Sequence, residues 1–114
     1  MRGISTHVLD TARGRPAAAL GVRLERAEPS GSWRQLSRRS TDQDGRCAEL
    51  LPDGEPLREG HYRLSFETGE YFAAQGVAGL YPCVEITFQV AANEPRYHIP
   101  LLLSPNGYTT YRGS

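Results

Sequence analysis

Turn-forming residues punctuate this chain at short intervals, and that rhythm constrains its fold more than any other feature. They fall at Gly14, Pro16, Pro29-Ser30-Gly31, Asp44-Gly45, Pro52-Asp53-Gly54, Gly60, Gly69, Gly79, Pro82, Asn93-Glu94-Pro95 and Asn106-Gly107. Most of the runs between them hold five to twelve residues, well matched to strands. Several alternate with period two. Tyr62, Leu64 and Phe66 share one face of "HYRLSFET", with His61, Arg63, Ser65 and Glu67 on the other. Val84, Ile86, Phe88 and Val90 alternate with Glu85, Thr87 and Gln89, and Leu20, Val22 and Leu24 with Arg23 and Glu25. Successive strand side chains point to opposite faces, so each apolar set faces inward. The pattern predicts an all-β sandwich or barrel.

"WRQLSRRST" is a weaker strand, because Trp33 and Leu36 fall on opposite faces. Asn106-Gly107 signals a hairpin joining "YHIPLLL" to "YTTYR". Pro100 has no N–H, so its strand should be an edge there, or bulged. "GEYFAAQGV" lacks strict alternation and predicts one or two helical turns over Glu70 to Gln75.

The 114 residues suit a single domain spanning 1–114. Lys plus Arg and Asp plus Glu both count 13, so no basic footprint argues for nucleic acid. There is no phosphate-cradling glycine loop, and no apolar run approaches the ~20 residues of a membrane span. "MRGISTHVLD" has no apolar signal-peptide core, which points to the cytoplasm and to free, reduced thiols at Cys47 and Cys83.

Polar residues then appear where a simple sandwich does not need them. In "ISTHVLDT", Ile4, Thr6 and Val8 share one face; Ser5, His7 and Leu9 share the other. In "RYHIPLLLS", Tyr97, Ile99, Leu101 and Leu103 face inward, and His98, Pro100 and Leu102 outward. Two of the three histidines thus sit within strands on faces away from their apolar neighbours, and the third, His61, opens a strand after a turn. Periodicity leaves three readings open: solvent-facing histidines, zinc ligands, or an acid/base pair. No Cys or His pair has metal-site spacing, and no cofactor motif is present. An imidazole with an ordinary pKa near 6.5 can accept and return a proton at neutral pH. Arg46, just after Asp44-Gly45, is either an exposed cation or a bidentate grip for an oxygen-rich ligand. Ser5 shares the face of His7, but same-face neighbours alone do not make an activated nucleophile.

Four segments together carry a resemblance: "STHVLDTARGRPAAALGVRLER", "TDQDGRCAELLP", "YRLSFETGEYFAAQGVAGLYPCVEITFQV" and "YHIPLLLSPNGYTTYRGS". Their order and content resemble the transthyretin-related 5-hydroxyisourate hydrolases over nearly the whole chain. "THVLD" and the closing "YRGS" are the most specific marks, and the hormone-carrying relative, transthyretin, lacks "YRGS". The resemblance implies a transthyretin-like (prealbumin-like) β-sandwich of two four-stranded sheets with one short helix. It implies a homotetramer, a dimer of dimers, with sites where dimers meet. It implies hydrolysis of 5-hydroxyisourate without metal or organic cofactor. The family's catalytic positions fall on His7, Arg46 and His98, and its terminal motif on Tyr111, Arg112, Gly113 and Ser114. His61 matches none of them. Asn106 stands where relatives often carry an aromatic residue. A small-ligand carrier on the same fold is the competing expectation.

Overall fold

The computed structural model describes residues 3–114. Ten elements run in the order β1 (Gly3–Asp10), β2 (Arg15–Pro16), β3 (Gly21–Ala27), β4 (Trp33–Ser40), β5 (Arg46–Cys47), β6 (Gly60–Phe66), α1 (Thr68–Ala73), β7 (Val84–Val90), β8 (Arg96–Ser104) and β9 (Gly107–Thr110). Two sheets face each other. One has the order β4-β3-β6-β7, antiparallel throughout. The other has the order β2-β1-β8-β9. Here the structure adds to the expected four strands: β5 also pairs with β1. β5 takes Thr6 and His7, β2 takes Leu9 and Asp10, so two short strands divide one edge of β1 between them.

The alternation read from sequence holds along β1, where Ile4, Thr6, Val8 and Asp10 are buried and the residues between them are half-exposed. Val22, Leu24, Tyr62, Leu64 and Phe66 from one sheet meet Ile4, Val8, Leu101 and Leu103 from the other, all essentially inaccessible to water. Each such side chain contributes roughly 1.5–3 kcal/mol by leaving water. Among the described residues, buried Arg23 Nε and Ser65 Oγ have no hydrogen-bond partner, but other buried polar groups are paired: Thr6 Oγ1 donates to the Ile99 carbonyl at 2.6 Å. Tyr71 donates to Asp10 Oδ2 at 2.8 Å, and the Arg13 N–H to Asp10 Oδ1 at 3.0 Å. Both cysteines are free, and burial pushes the Cys47 thiol up to about 11.

Three local expectations are refined. The weak strand β4 is regular apart from a register shift opposite Leu24 and Glu25, where Leu36 is the extra residue. That bulge lets Ser37 come opposite Leu24 and leaves Leu36 packed against the core, which explains the broken alternation. The helix begins two residues before the expected start. Thr68 Oγ1 bonds the Tyr81 carbonyl and the Gly69 N–H bonds the Pro82 carbonyl, partners that local sequence does not reveal. The hairpin loop is Pro105-Asn106, with Gly107 already in β9 opposite Ser104.

Pro100 lies in an interior strand yet in an edge-like position. The β8–β9 ladder begins only at Leu101, opposite Thr110, and the next contact is a single bridge from His98 to Gly113. Pro100 falls in the gap between them, where a missing N–H costs no ladder bond. Its carbonyl accepts from Thr110 Oγ1 at 2.8 Å.

Candidate active site

The parallel pairing of β1 with β8 sets Ser5 opposite His98 and His7 opposite Pro100. His7 is therefore diagonal to His98 on the outward face of the sheet. On its other side His7 pairs with Arg46 in β5. The turn before Arg46 is tightly specified. Asp42 Oδ1 accepts from the Asp44 and Arg46 N–H groups, both at 2.9 Å. Gly45 has φ +76°, and a Cβ there would lie 2.3 Å from the Val8 carbonyl oxygen, so the turn needs glycine twice over. The Val8 N–H in turn bonds the Gly45 carbonyl at 2.7 Å, tying Arg46 to the strand that carries His7.

The chain end completes the wall. The Gly113 N–H donates to the His98 carbonyl at 2.8 Å. A Cβ at Gly113 would lie 2.5 Å from His98 Cδ2 and 3.1 Å from Pro100 Cγ. Space, not backbone conformation, demands glycine here. Arg112 is held from outside: its guanidinium stacks 4.5 Å over the Tyr97 ring and reaches Glu94 Oε2 and the Arg96 carbonyl, each at 3.4 Å.

A cavity of about 670 Å³ opens among these residues, within the range of small-ligand sites. Ser5, His98, Gly113 and Ser114 line it together with Arg46, Arg96 and Arg112. His7 does not line it; it pairs with Arg46 in the β1–β5 ladder and stands close enough to His98 to repel its charge. Tyr111 does not line this cavity. It is exposed and faces an adjoining apolar groove of about 220 Å³ with Ile86, Phe88 and Ile99. His61 lies in the opposite sheet, apart from the site. A second cavity, about 570 Å³, contains Arg13, Arg15 and Arg38 but no histidine, and Glu67 already pairs with Arg38.

Ser5 is the residue whose place the sequence reading undervalued. Its Oγ lies 2.8 Å from His98 Nδ1. Period-two alternation put Ser5 on the right face, but its partner is 93 residues away. The other ring nitrogen, Nε2, has no hydrogen bond to any described residue. Burial lowers the His98 pKa below its usual value, and His7, Arg46 and Arg96 lower it further by charge repulsion. His98 is thus a neutral imidazole at pH 7, with one nitrogen held and the other free. Beside it stands a guanidinium able to receive negative charge. Such a site suits proton transfer coupled to carbonyl chemistry.

Sheet order, short helix and a polar cavity on the outer face of β1 and β8 define a transthyretin-type sandwich. The chain belongs to the HIUase/Transthyretin family, whose model matches residues 4–113. It is 46% identical over 112 residues to the 5-hydroxyisourate hydrolase of Mus musculus, covering 97% of this chain and 94% of that one. The structure of Klebsiella pneumoniae 5-hydroxyisourate hydrolase superposes with a TM-score of 0.85 at 36% identity, covering 100% of this chain and 94% of that one. Transthyretin from Sparus aurata superposes with a TM-score of 0.92 at 27% identity, covering 99% and 97%. Among the described residues, no helix is long and apolar enough to cross a membrane.

Proposed function

We propose that this chain hydrolyses 5-hydroxyisourate to 2-oxo-4-hydroxy-4-carboxy-5-ureidoimidazoline, a step of urate degradation, in the cytoplasm. The observation that carries this reading is the convergence of His98, Arg46 and Gly113-Ser114 on one cavity, with His7 paired to Arg46. Hydrolysis opens the six-membered ring at an acyl C–N bond. Water attacks the carbonyl while the His7–His98 pair takes its proton. The tetrahedral oxyanion forms beside Arg46, whose fixed positive charge lowers the barrier. Collapse breaks the C–N bond, and the same imidazole pair returns the proton to the leaving nitrogen. Ser114 and Tyr111 orient the substrate, Tyr111 from the adjoining groove. No metal or organic cofactor takes part.

The working unit in this reading is a homotetramer, a dimer of dimers, with sites where the dimers meet. Its support is the unpaired outer edges of β7 and β9. Between them, Ile86 and Phe88 remain partly exposed beside Tyr111, and exposed strand edges favour pairing with another copy.

The likeness to transthyretin favours a second reading, a carrier of small ligands without chemistry. Fold does not separate the two, since both relatives superpose closely. The deciding experiment follows the ultraviolet decay of 5-hydroxyisourate, generated in place from urate by urate oxidase, with and without the protein. Accelerated decay that disappears in His98→Asn supports the hydrolase. No acceleration by the folded protein overturns it in favour of the carrier.

A further inference from the structure

We infer that Ser5 is a positioning residue for this reaction: its hydroxyl accepts a hydrogen bond from His98 Nδ1–H and so keeps Nε2 unprotonated and ready to take a proton from water. The inference rests on the hydrolase reading for its consequence in catalysis, but its structural half is testable without substrate.

The geometry carries it. Ser5 and His98 are directly opposite in the parallel β1–β8 register, and the 2.8 Å Oγ–Nδ1 contact follows from that pairing. Gly113 closes the other side of the ring, where its backbone approaches Cδ2. The imidazole is therefore held at Nδ1 by Ser5 and against Cδ2 by the chain end, leaving Nε2 as the nitrogen without a partner. Which nitrogen of a neutral histidine bears the proton is set by the hydrogen bond the other makes. When Nε2 takes a proton, the ring becomes an imidazolium with N–H groups on both nitrogens. A partner at Nδ1 must then be an acceptor throughout the cycle, and the Ser5 oxygen meets that requirement.

A serine also differs from the more familiar carboxylate partner. A carboxylate at Nδ1 would stabilise the imidazolium and raise the histidine pKa. A hydroxyl orients the ring without adding charge. That preserves a neutral His98 beside Arg46, Arg96 and His7, which all disfavour its protonation.

The test compares wild type with Ser5→Ala and Ser5→Thr. Thermal melts first establish that each variant folds. Nitrogen-15 NMR of the His98 ring at pH 8, without substrate, reports the tautomer. The expected result is an Nδ1–H tautomer in wild type and in Ser5→Thr, and a shift toward Nε2–H in Ser5→Ala. An Nε2–H tautomer in wild type, or one tautomer unchanged by Ser5→Ala, overturns the inference whatever the activity. In turnover, Ser5→Ala should lose about five- to tenfold in kcat, the scale of one neutral hydrogen bond, with KM little changed. Ser5→Thr should recover most of it. A Ser5→Ala enzyme with full kcat refutes the positioning role. Wild type with the expected tautomer but no hydrolysis would leave the Ser5–His98 bond established and refute its catalytic use together with the hydrolase reading.

Discussion

Gly113→Ala gives the sharpest test of how the chain end shapes the site. The added Cβ would sit 2.5 Å from His98 Cδ2 and 3.3 Å from His98 Cγ. Carbon atoms in contact lie about 3.5–4.0 Å apart, so the overlap is about 1 Å. The chain can relieve it in two ways. The tail can lift, breaking the 2.8 Å bond from the Gly113 N–H to the His98 carbonyl and carrying Ser114 away from the cavity. Alternatively the imidazole can turn, breaking its 2.8 Å contact with Ser5 Oγ. Either route moves a catalytic group by about 1 Å, a displacement that costs on the order of 10²-fold in rate, or about 2.7 kcal/mol of transition-state stabilisation. Stability should change little. One neutral hydrogen bond near the chain end is worth about 1 kcal/mol, which shifts Tm by a few degrees. The assay is kcat/KM for 5-hydroxyisourate decay beside a thermal melt. Gly107→Ala is the control, because a Cβ there meets only Ser104 Oγ, at an ordinary 3.7 Å. If Gly113→Ala keeps kcat/KM within twofold of wild type, the tail does not position the site and the reasoning fails.

Replacing His98 by Asn should lower kcat by about 10²–10⁴, the usual loss for a general acid/base; near-normal turnover would remove His98 from the mechanism. The lowered pKa of His98 places the acid limb of the kcat/KM profile below the usual histidine value of about 6.5, as a pH–rate profile will show. The same shift affects folding. The unfolded chain takes up the His98 proton first, so this group's contribution is intact above about pH 6.5. It is lost as pH falls through the lower folded-state value, which urea midpoints at successive pH values will read. Tyr71→Phe removes a hydrogen bond to the buried Asp10 and should cost about 1.5–3 kcal/mol in urea unfolding; an unchanged midpoint would mean the Asp10 carboxyl finds another partner.

Much of this protein was legible one strand at a time. Alternation separated Ile4 and Val8 from Ser5 and His7, and Tyr97 and Ile99 from His98, with the facing later seen in β1 and β8. Short local patterns carry that information because a strand repeats every two residues. Where local geometry departs from the repeat, reading failed in small ways. The bulge at Leu36 hid the phase of β4, and the start of α1 depended on carbonyls of Tyr81 and Pro82.

What sequence alone determined was therefore the face of each polar residue and, through the resemblance, which of them belonged to one motif. Tertiary structure decided who stands beside whom. The contact of Ser5 with His98 spans 93 residues and depends on the register of a parallel strand pair. A slip of one residue would turn every side chain of β1 to the opposite face. That register is held by the core: Ile4 and Val8 must stay buried against Val22, Leu24 and Phe66. The same constraint that packs the inner face aligns Ser5, His7 and Arg46 with His98 on the outer one. No stretch of local sequence encodes that alignment, because it is the joint result of two distant strands burying their apolar sides against one core.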